Sequence, residues 1–252
     1  MCRINNTSEQ DQLMDRKFLK IAHRGYSELY SENTLPAFQK AIEHGADMIE
    51  LDVHLTRDGV LVVIHDNDIE RTSNGKGDVA QYTLKELRQF DFDFKKTAGD
   101  SFVPIPTLAE VIDLVKGKLQ LNIEIKNCPH RYKGIEDALA SLLIEKDFIS
   151  ESVVSSFDHF SLLTLKKIEP GIKIGMLYDS VWVTFQEEVK ALDIYSLHPS
   201  IDAFDTDQAR WAQESGYRVY PWVARNRETV KRIMESGLAN GVMVNDLKLF
   251  SL

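Results

Sequence analysis

Cysteine is scarce in this sequence of 252 residues: Cys2 and Cys128 are the only two. That is too few for a disulfide-built scaffold, and no C-x-x-C pair is available for zinc or redox work. Two free thiols in a reducing compartment are the expectation. No apolar run approaches the ~20 residues that cross a bilayer, and the opening Met1–Asp11 lacks the apolar stretch of a leader. A soluble cytoplasmic chain without stable membrane insertion is therefore expected, unless a leader has already been removed. Positive charge is in deficit too: 30 Lys and Arg stand against 39 Asp and Glu, a formal net charge of −9. Such a surface repels nucleic acid and anionic membranes, whereas a local cluster of acids draws in a divalent cation. Internal repeats and low-complexity tracts are absent, and a homodimer stays open.

What is present is a composition that is 43% hydrophobic, enough for a sizeable core at this length. After a polar arm over residues 1–17, expected to be frayed and flexible, β-rich runs alternate with helical periodicity almost to the C-terminus. Strands are expected over 18–23, 47–55, 61–65, 119–125, 153–156, 173–177, 194–197, 219–223 and 242–244. Helices are expected over 34–43, 84–90, 108–115, 134–145, 160–167, 184–191, 207–214 and 227–235, with start signals such as Asn33 and Thr107. This α/β alternation calls for a parallel sheet, and a closed TIM-type (β/α)8 barrel leads over a doubly wound open sheet.

One link breaks the rhythm. Asp52 and His65 are joined through Thr56-Arg57-Asp58-Gly59, a tight-turn signal with no room for a helix, and a hairpin centred there sets His65 opposite Asp52. The link at 52–65 thus adds a hairpin arm to an eight-stranded barrel, or distorts a barrel that counts the extra strand. Residues 18–252 read as a single barrel domain with a loop-rich insertion at 67–106 that carries one short helix.

Period-two alternation puts Glu50, Asp52 and His54 on one face of their strand, and Ile49, Leu51 and Val53 on the other. Two carboxylates facing one way repel each other, and a cation or a proton relieves that repulsion. Asn122, Glu124 and Lys126 share a face in the same manner, which brings a third acid to a strand's C-terminal end, where barrel active sites sit. Three carboxylates with positions left for water and phosphate oxygens describe one hard divalent cation, Mg²⁺ or Ca²⁺. His23 and His65 each end a strand, His23 beside Arg24, and two imidazoles next to such a cluster fit a general acid and a general base.

These segments together resemble the glycerophosphodiester phosphodiesterase family, within the phospholipase-C-like phosphodiesterases. The resemblance runs in order through His23-Arg24-Gly25, Glu32-Asn33-Thr34, Glu50-x-Asp52, His65-Asp66, Arg71-Thr72-Ser73-Asn74-Gly75-Lys76-Gly77, Pro106-Thr107-Leu108, Glu124-Ile125-Lys126 and Pro221-Trp222. It implies a TIM barrel with Glu50, Asp52 and Glu124 on the metal, His23 and His65 as the acid–base pair, and Arg24 on the phosphate. It also implies that Lys126 contacts substrate and that Trp222 walls the glycerol. Hydrolysis of a glycerophosphodiester to glycerol 3-phosphate and an alcohol follows as the implied reaction. Ser31 and Ser73 depart from the residues the family often carries, which bears on loop shape. His54, His198, Phe157 and Asn245 are further candidates for the pocket rim.

Two other readings stand beside this one. A lysophospholipase D-like enzyme needs an apolar entrance, for which Phe90, Phe92, Phe94 and Phe102 are available. A catalytically silent binding barrel is marked by loss of a histidine or an acid, and none is lost here. The headgroup, the choice of ion, the division of labour between the histidines, and direct attack by water or by the glycerol 2-hydroxyl all stay open.

Overall fold

The computed structural model describes residues 17–93, 102–204 and 206–251, so the expected arm over 1–17 lies almost wholly outside the described residues. The strands are β1 (Leu19–His23), β2 (Met48–Leu55), β3 (Leu61–Val63), β4 (Gln120–Ile125), β5 (Ser152–Ser156), β6 (Lys173–Tyr178), β7 (Ser196–Pro199), β8 (Arg218–Val219) and β9 (Gly241–Val244). All but β3 pair in parallel, in the order β8-β7-β6-β5-β4-β2-β1-β9. Leaving β3 aside, the strands from β1 to β8 lie in the sheet in chain order, with no reversal of the kind a doubly wound sheet requires. A parallel bridge between Ala224 and Val244 brings the chain beyond β8 back to β9, which nearly closes an eight-stranded TIM-type barrel. The last expected strand before closure is cut short because Pro221 has no N–H to give a ladder.

Helices fill the connections: α1 (Leu35–Glu43), α2 (Leu84–Leu87), α3 (Leu108–Val115), α4 (Ile135–Glu145), α5 (His159–Ile168), α6 (Phe185–Ala191), α7 (Thr206–Glu214) and α8 (Arg227–Ser236). Their starts follow local chemistry. Thr107 and Glu110 form a capping box at α3, and Leu108, Val111, Ile112 and Val115 then bury one stripe. At α1 the cap is Thr34, whose side chain accepts from Ala37 N. Asn33, expected as the start signal, has φ +57° and points its amide elsewhere.

Strand parity divides the interior in two. Ile49, Leu51 and Val53 pack outward with Leu108, Ile112, Leu139 and Leu162 in the main core between sheet and helices. Ile21, Met48, Val153, Tyr220 and Met243 form a second cluster. They share strand parity with His23, Glu50, Ser155, Trp222 and Asn245, and so plug the barrel axis one pleat beneath the residues at its mouth. The segment after β3 has its own small core of Val62, Ile64, Ile69, Val79, Leu87, Phe92 and Ile105. It overlaps the stretch 67–106 and carries α2.

The hairpin forms, in a register one residue from expectation. Thr56 N donates to Val60 O at 3.0 Å and Gly59 N to Thr56 O at 3.0 Å, so the loop is the three residues Arg57-Asp58-Gly59 instead of two. Ile64 therefore opposes Asp52, with Ile64 N on Asp52 O at 3.0 Å, and His65 falls just past the strand. Val53 pairs with Ile125 on one side and Val63 on the other, so β3 occupies the edge of β2 that β1 has vacated.

Two glycines at positive φ separate strain from crowding. Gly25 (φ +82°) sits where an added Cβ would lie 2.9 Å from the Ala37 backbone, whereas Gly59 (φ +79°) faces open space. Gly25→Ala should cost on the order of 2 to 5 kcal/mol from left-handed strain plus overpacking, and Gly59→Ala only about 1 to 2 kcal/mol. Urea unfolding of both variants checks this; equal losses would show that the turn at Gly25 is not held against α1.

Candidate active site

Glu50, Asp52 and Glu124 converge where β2 and β4 run side by side, with Asp52 directly paired to Glu124. One ligand atom from each lies within 4.8 Å of the others, and all three residues are buried. Lys126 Nζ contacts Glu124 Oε1 at 2.7 Å and Asp52 Oδ1 at 3.3 Å, while Arg24 Nε lies 3.4 Å from Asp52 Oδ2. Three negative charges thus meet two positive ones, which leaves the cluster one charge short. Asp52 Oδ1 is buried and makes no hydrogen bond, its one charged neighbour being Lys126 at 3.3 Å. An all-carboxylate donor set, a charge deficit and an oxygen with no hydrogen bond fit a hard divalent cation.

The titration behaviour has the same origin. Burial, then repulsion from Asp52 and Glu124, raises Glu50 well above the ordinary carboxylate range. Burial also raises Glu124 to about 7, with Lys126 opposing and Asp52 adding. Burial works on Asp52 as well, but Lys126 and Arg24 outweigh it and hold this acid below its usual value. Asn33 Nδ2 donates to Asp52 Oδ2 at 2.8 Å, which is what the left-handed turn at Asn33 achieves.

Each candidate imidazole has one nitrogen engaged. His23 Nδ1 meets Asn245 Oδ1 at 2.8 Å, so Nδ1 carries the proton and Nε2, 3.8 Å from Glu50 Oε2, is the free nitrogen. His65 Nδ1 meets Asp66 Oδ1 at 2.7 Å, which likewise frees Nε2. Burial lowers the His23 pKa to about 4, with Arg24 adding to the effect. Burial lowers His65 too; Asp52 opposes this, and Lys126 and Arg24 reinforce it.

A chain of ion pairs connects the two sides. Arg71 binds Asp66 through Nε and Glu32 through Nη1 and Nη2 at 2.9 and 2.8 Å, and Glu32 Oε1 also accepts from Arg24 Nη1 at 2.9 Å. Motif matching reached Glu32, Asn33, Asp66 and Arg71 without giving them a role, because their partners are separated by up to 39 residues in the chain.

His23, Arg24, Glu50, His65, Glu124, Lys126 and Trp222 line one cavity of about 130 Å³, together with Phe157 and Asn122. Trp222 Nε1 donates to His198 O at 2.8 Å, and its ring meets Phe157 edge to face at 5.7 Å. The rim expectation holds for Phe157 and is corrected for two others. His54 is fully buried, donating from Nε2 to His65 O at 3.0 Å and accepting from Tyr132 Oη at Nδ1. His198 is fully buried against Ser196 and Tyr220. Of the four phenylalanines offered for an apolar entrance, Phe92 and Phe90 pack into the small core after β3, Phe102 is exposed, and Phe94 lies outside the described residues.

The fold is that of a (β/α)8 barrel, and the candidate site lies at the C-terminal ends of its strands, where the active sites of barrel enzymes sit. The model of the glycerophosphoryl diester phosphodiesterase family matches residues 23–249. A glycerophosphodiester phosphodiesterase of Caldanaerobacter subterraneus is 41% identical over 234 residues, covering 91% of this chain and 95% of its own. One from Bacillus altitudinis is 36% identical, covering 86% and 91%. Among solved structures, a glycerophosphodiester phosphodiesterase from Thermotoga maritima aligns with TM-score 0.75 at 32% identity, covering 93% of this chain and 97% of its own. A phosphodiesterase from Oleispira antarctica, solved with the product sn-glycerol-3-phosphate, aligns with TM-score 0.83 at 28% identity, covering 95% and 98%. The chain belongs to the glycerophosphoryl diester phosphodiesterase family.

The raised acids make a stability prediction with a definite sign. Glu50 and Glu124 titrate above the ordinary carboxylate range in the folded protein, so their penalty is absent below that range and grows as pH rises towards the folded pKa, about 7 for Glu124. Glu50→Gln keeps the oxygen that accepts from Arg24 N and deletes one charge. In chelator the variant should be more stable than wild type by on the order of 1 kcal/mol at pH 8, with the gap closing by pH 5. Thermal melts across pH measure it. A variant that melts lower at pH 8 would mean that Glu50 is a structural partner of Arg24.

Proposed function

We propose that the chain hydrolyses glycerophosphodiesters to glycerol 3-phosphate and an alcohol, with one Mg²⁺ or Ca²⁺ held by Glu50, Asp52 and Glu124. The observation that carries this reading is the meeting of two singly engaged imidazoles and two cations with Glu50 and Glu124 in one cavity of about 130 Å³, where Asp52 completes the acidic cluster from its buried position alongside. The product complex of the Oleispira antarctica relative supports the same substrate class. When bound, the cation would supply charge neutralisation at the phosphate oxygens.

The chain's own residues do the rest. Arg24 and Lys126 bring positive charge to the cavity for the phosphate, in addition to balancing the acids. Trp222, fixed by its bond to His198 O, offers an aromatic wall for the glycerol carbons. Of His23 and His65, one takes the proton through Nε2 from the nucleophile, either water or a glycerol 2-hydroxyl whose cyclic phosphate water then opens, and the other protonates the leaving alkoxide. Lowered pKa values keep a base neutral at pH 7, and an anionic phosphate beside the second imidazole favours its charged form. Asn245 and Asp66 hold the two rings by Nδ1, so that each presents Nε2.

Chelation should abolish turnover, and Mg²⁺ or Ca²⁺ should restore it; full activity in excess chelator refutes the cation assignment. With glycerophosphocholine the phosphate should stay on glycerol, and phosphocholine in the mass spectrum would contradict this. His23→Ala and His65→Ala should each lower kcat by on the order of 10² to 10⁴. A nitrophenyl leaving group needs little protonation and should partly rescue whichever variant lacks the acid. Equal defects on both substrate types would end the acid–base division.

A further inference from the structure

Most of the large apolar side chains exposed among the described residues lie at one end of this barrel. Among the described residues eight are exposed, and six of them lie on connections that leave the C-terminal ends of strands, around the cavity mouth. These are Leu29, Phe102, Phe157, Phe160, Val181 and Val183. The other two, Ile144 and Ile168, stand at the far ends of α4 and α5. Singly exposed apolar residues are ordinary, whereas their concentration at one end is not.

Four of the six sit on neighbouring loops, because β5 and β6 are adjacent in the sheet. Phe160 stands in the first turn of α5 with 73% of its surface exposed, and Val183 is fully exposed. Both loops are anchored. Trp182 turns inward onto Phe185 and Tyr178, with ring centroids 5.0 and 6.2 Å away, and this aims Val181 and Val183 outward. His159 Nε2 bonds Leu177 O at 2.9 Å, which ties the start of α5 to the end of β6. The adjoining loop after β4 brings Arg131 and Lys133 to the surface, Arg131 paired with Asp158 at 3.0 Å and still largely exposed.

We infer that this rim seats the barrel mouth on a zwitterionic phospholipid surface. A protein partner needs a patch of matched shape, while side chains projecting separately from loop tips partition into a fluid interface that conforms to them. Exposed Lys133, with the outer face of Arg131, complements headgroup phosphates, and the net charge of −9 disfavours a strongly anionic membrane. No helix among the described residues is long and apolar enough to cross a membrane, so the contact is peripheral.

Sedimentation of the full chain with phosphatidylcholine vesicles tests this by binding alone, apart from the reaction proposed above. Wild type should sediment with the vesicles, more than with phosphatidylserine vesicles. Phe160→Gln with Val183→Gln should weaken binding at least about tenfold. Ile144→Gln with Ile168→Gln, at the opposite end, should bind as wild type does. Both pairs should keep the turnover of soluble glycerophosphocholine. Wild type left in the supernatant, a rim variant that binds undiminished, or a far-end variant that loses as much would each overturn the inference.

Discussion

The rest of the site depends on three carboxylates being held together out of water. Like charges at that spacing stay ionised only if something cationic stands among them, and the neighbouring chain is shaped to provide it. Lys126 follows Glu124 by one pleat, so the strand that brings the third acid also brings an ammonium. Arg24 takes a left-handed backbone at the end of β1, which directs its guanidinium to Asp52 and Glu32. Asn33 is bent in the same way, at the cost of the helix cap that falls to Thr34. Backbone strain of this kind gathers where a structure holds a costly arrangement for use.

Depth along the barrel axis decides which residues take part. Each inward-facing position belongs to a pleat, and the lower pleat is apolar while the upper one is acidic and aromatic. His54 obeys the same parity as Glu50 and Asp52, yet it lies one pleat beyond them, where β3 has replaced β1 as the neighbour of β2. There it meets Tyr132 and the His65 carbonyl in place of the cavity.

That difference explains what was legible in the sequence. Period-two alternation identified the faces of Glu50, Asp52 and Glu124, and strand–helix alternation identified the barrel, because both patterns are local. Depth is not local, so His54 and His198 looked like rim residues and proved to be interior supports. The register of the hairpin hung on a loop of three residues against one of two, and Asp58-Gly59 suits both. The ion pairs that orient His65 were illegible for a plainer reason: Glu32 and Arg71 belong to different loops, and no spacing rule connects them.

Glu32 is the one carboxylate bound at once by Arg24, beside the acids, and by Arg71, beside Asp66 and His65. The segment from 65 to 106 has its own small core and includes both Asp66 and Arg71, so it has the makings of an exchangeable cassette. Glu32 is the socket into which that cassette plugs. A transplanted insertion brings its own histidine support, but it is aligned with the barrel only where the recipient's first loop keeps this acid, and so drift in the two loops is bound to be concerted.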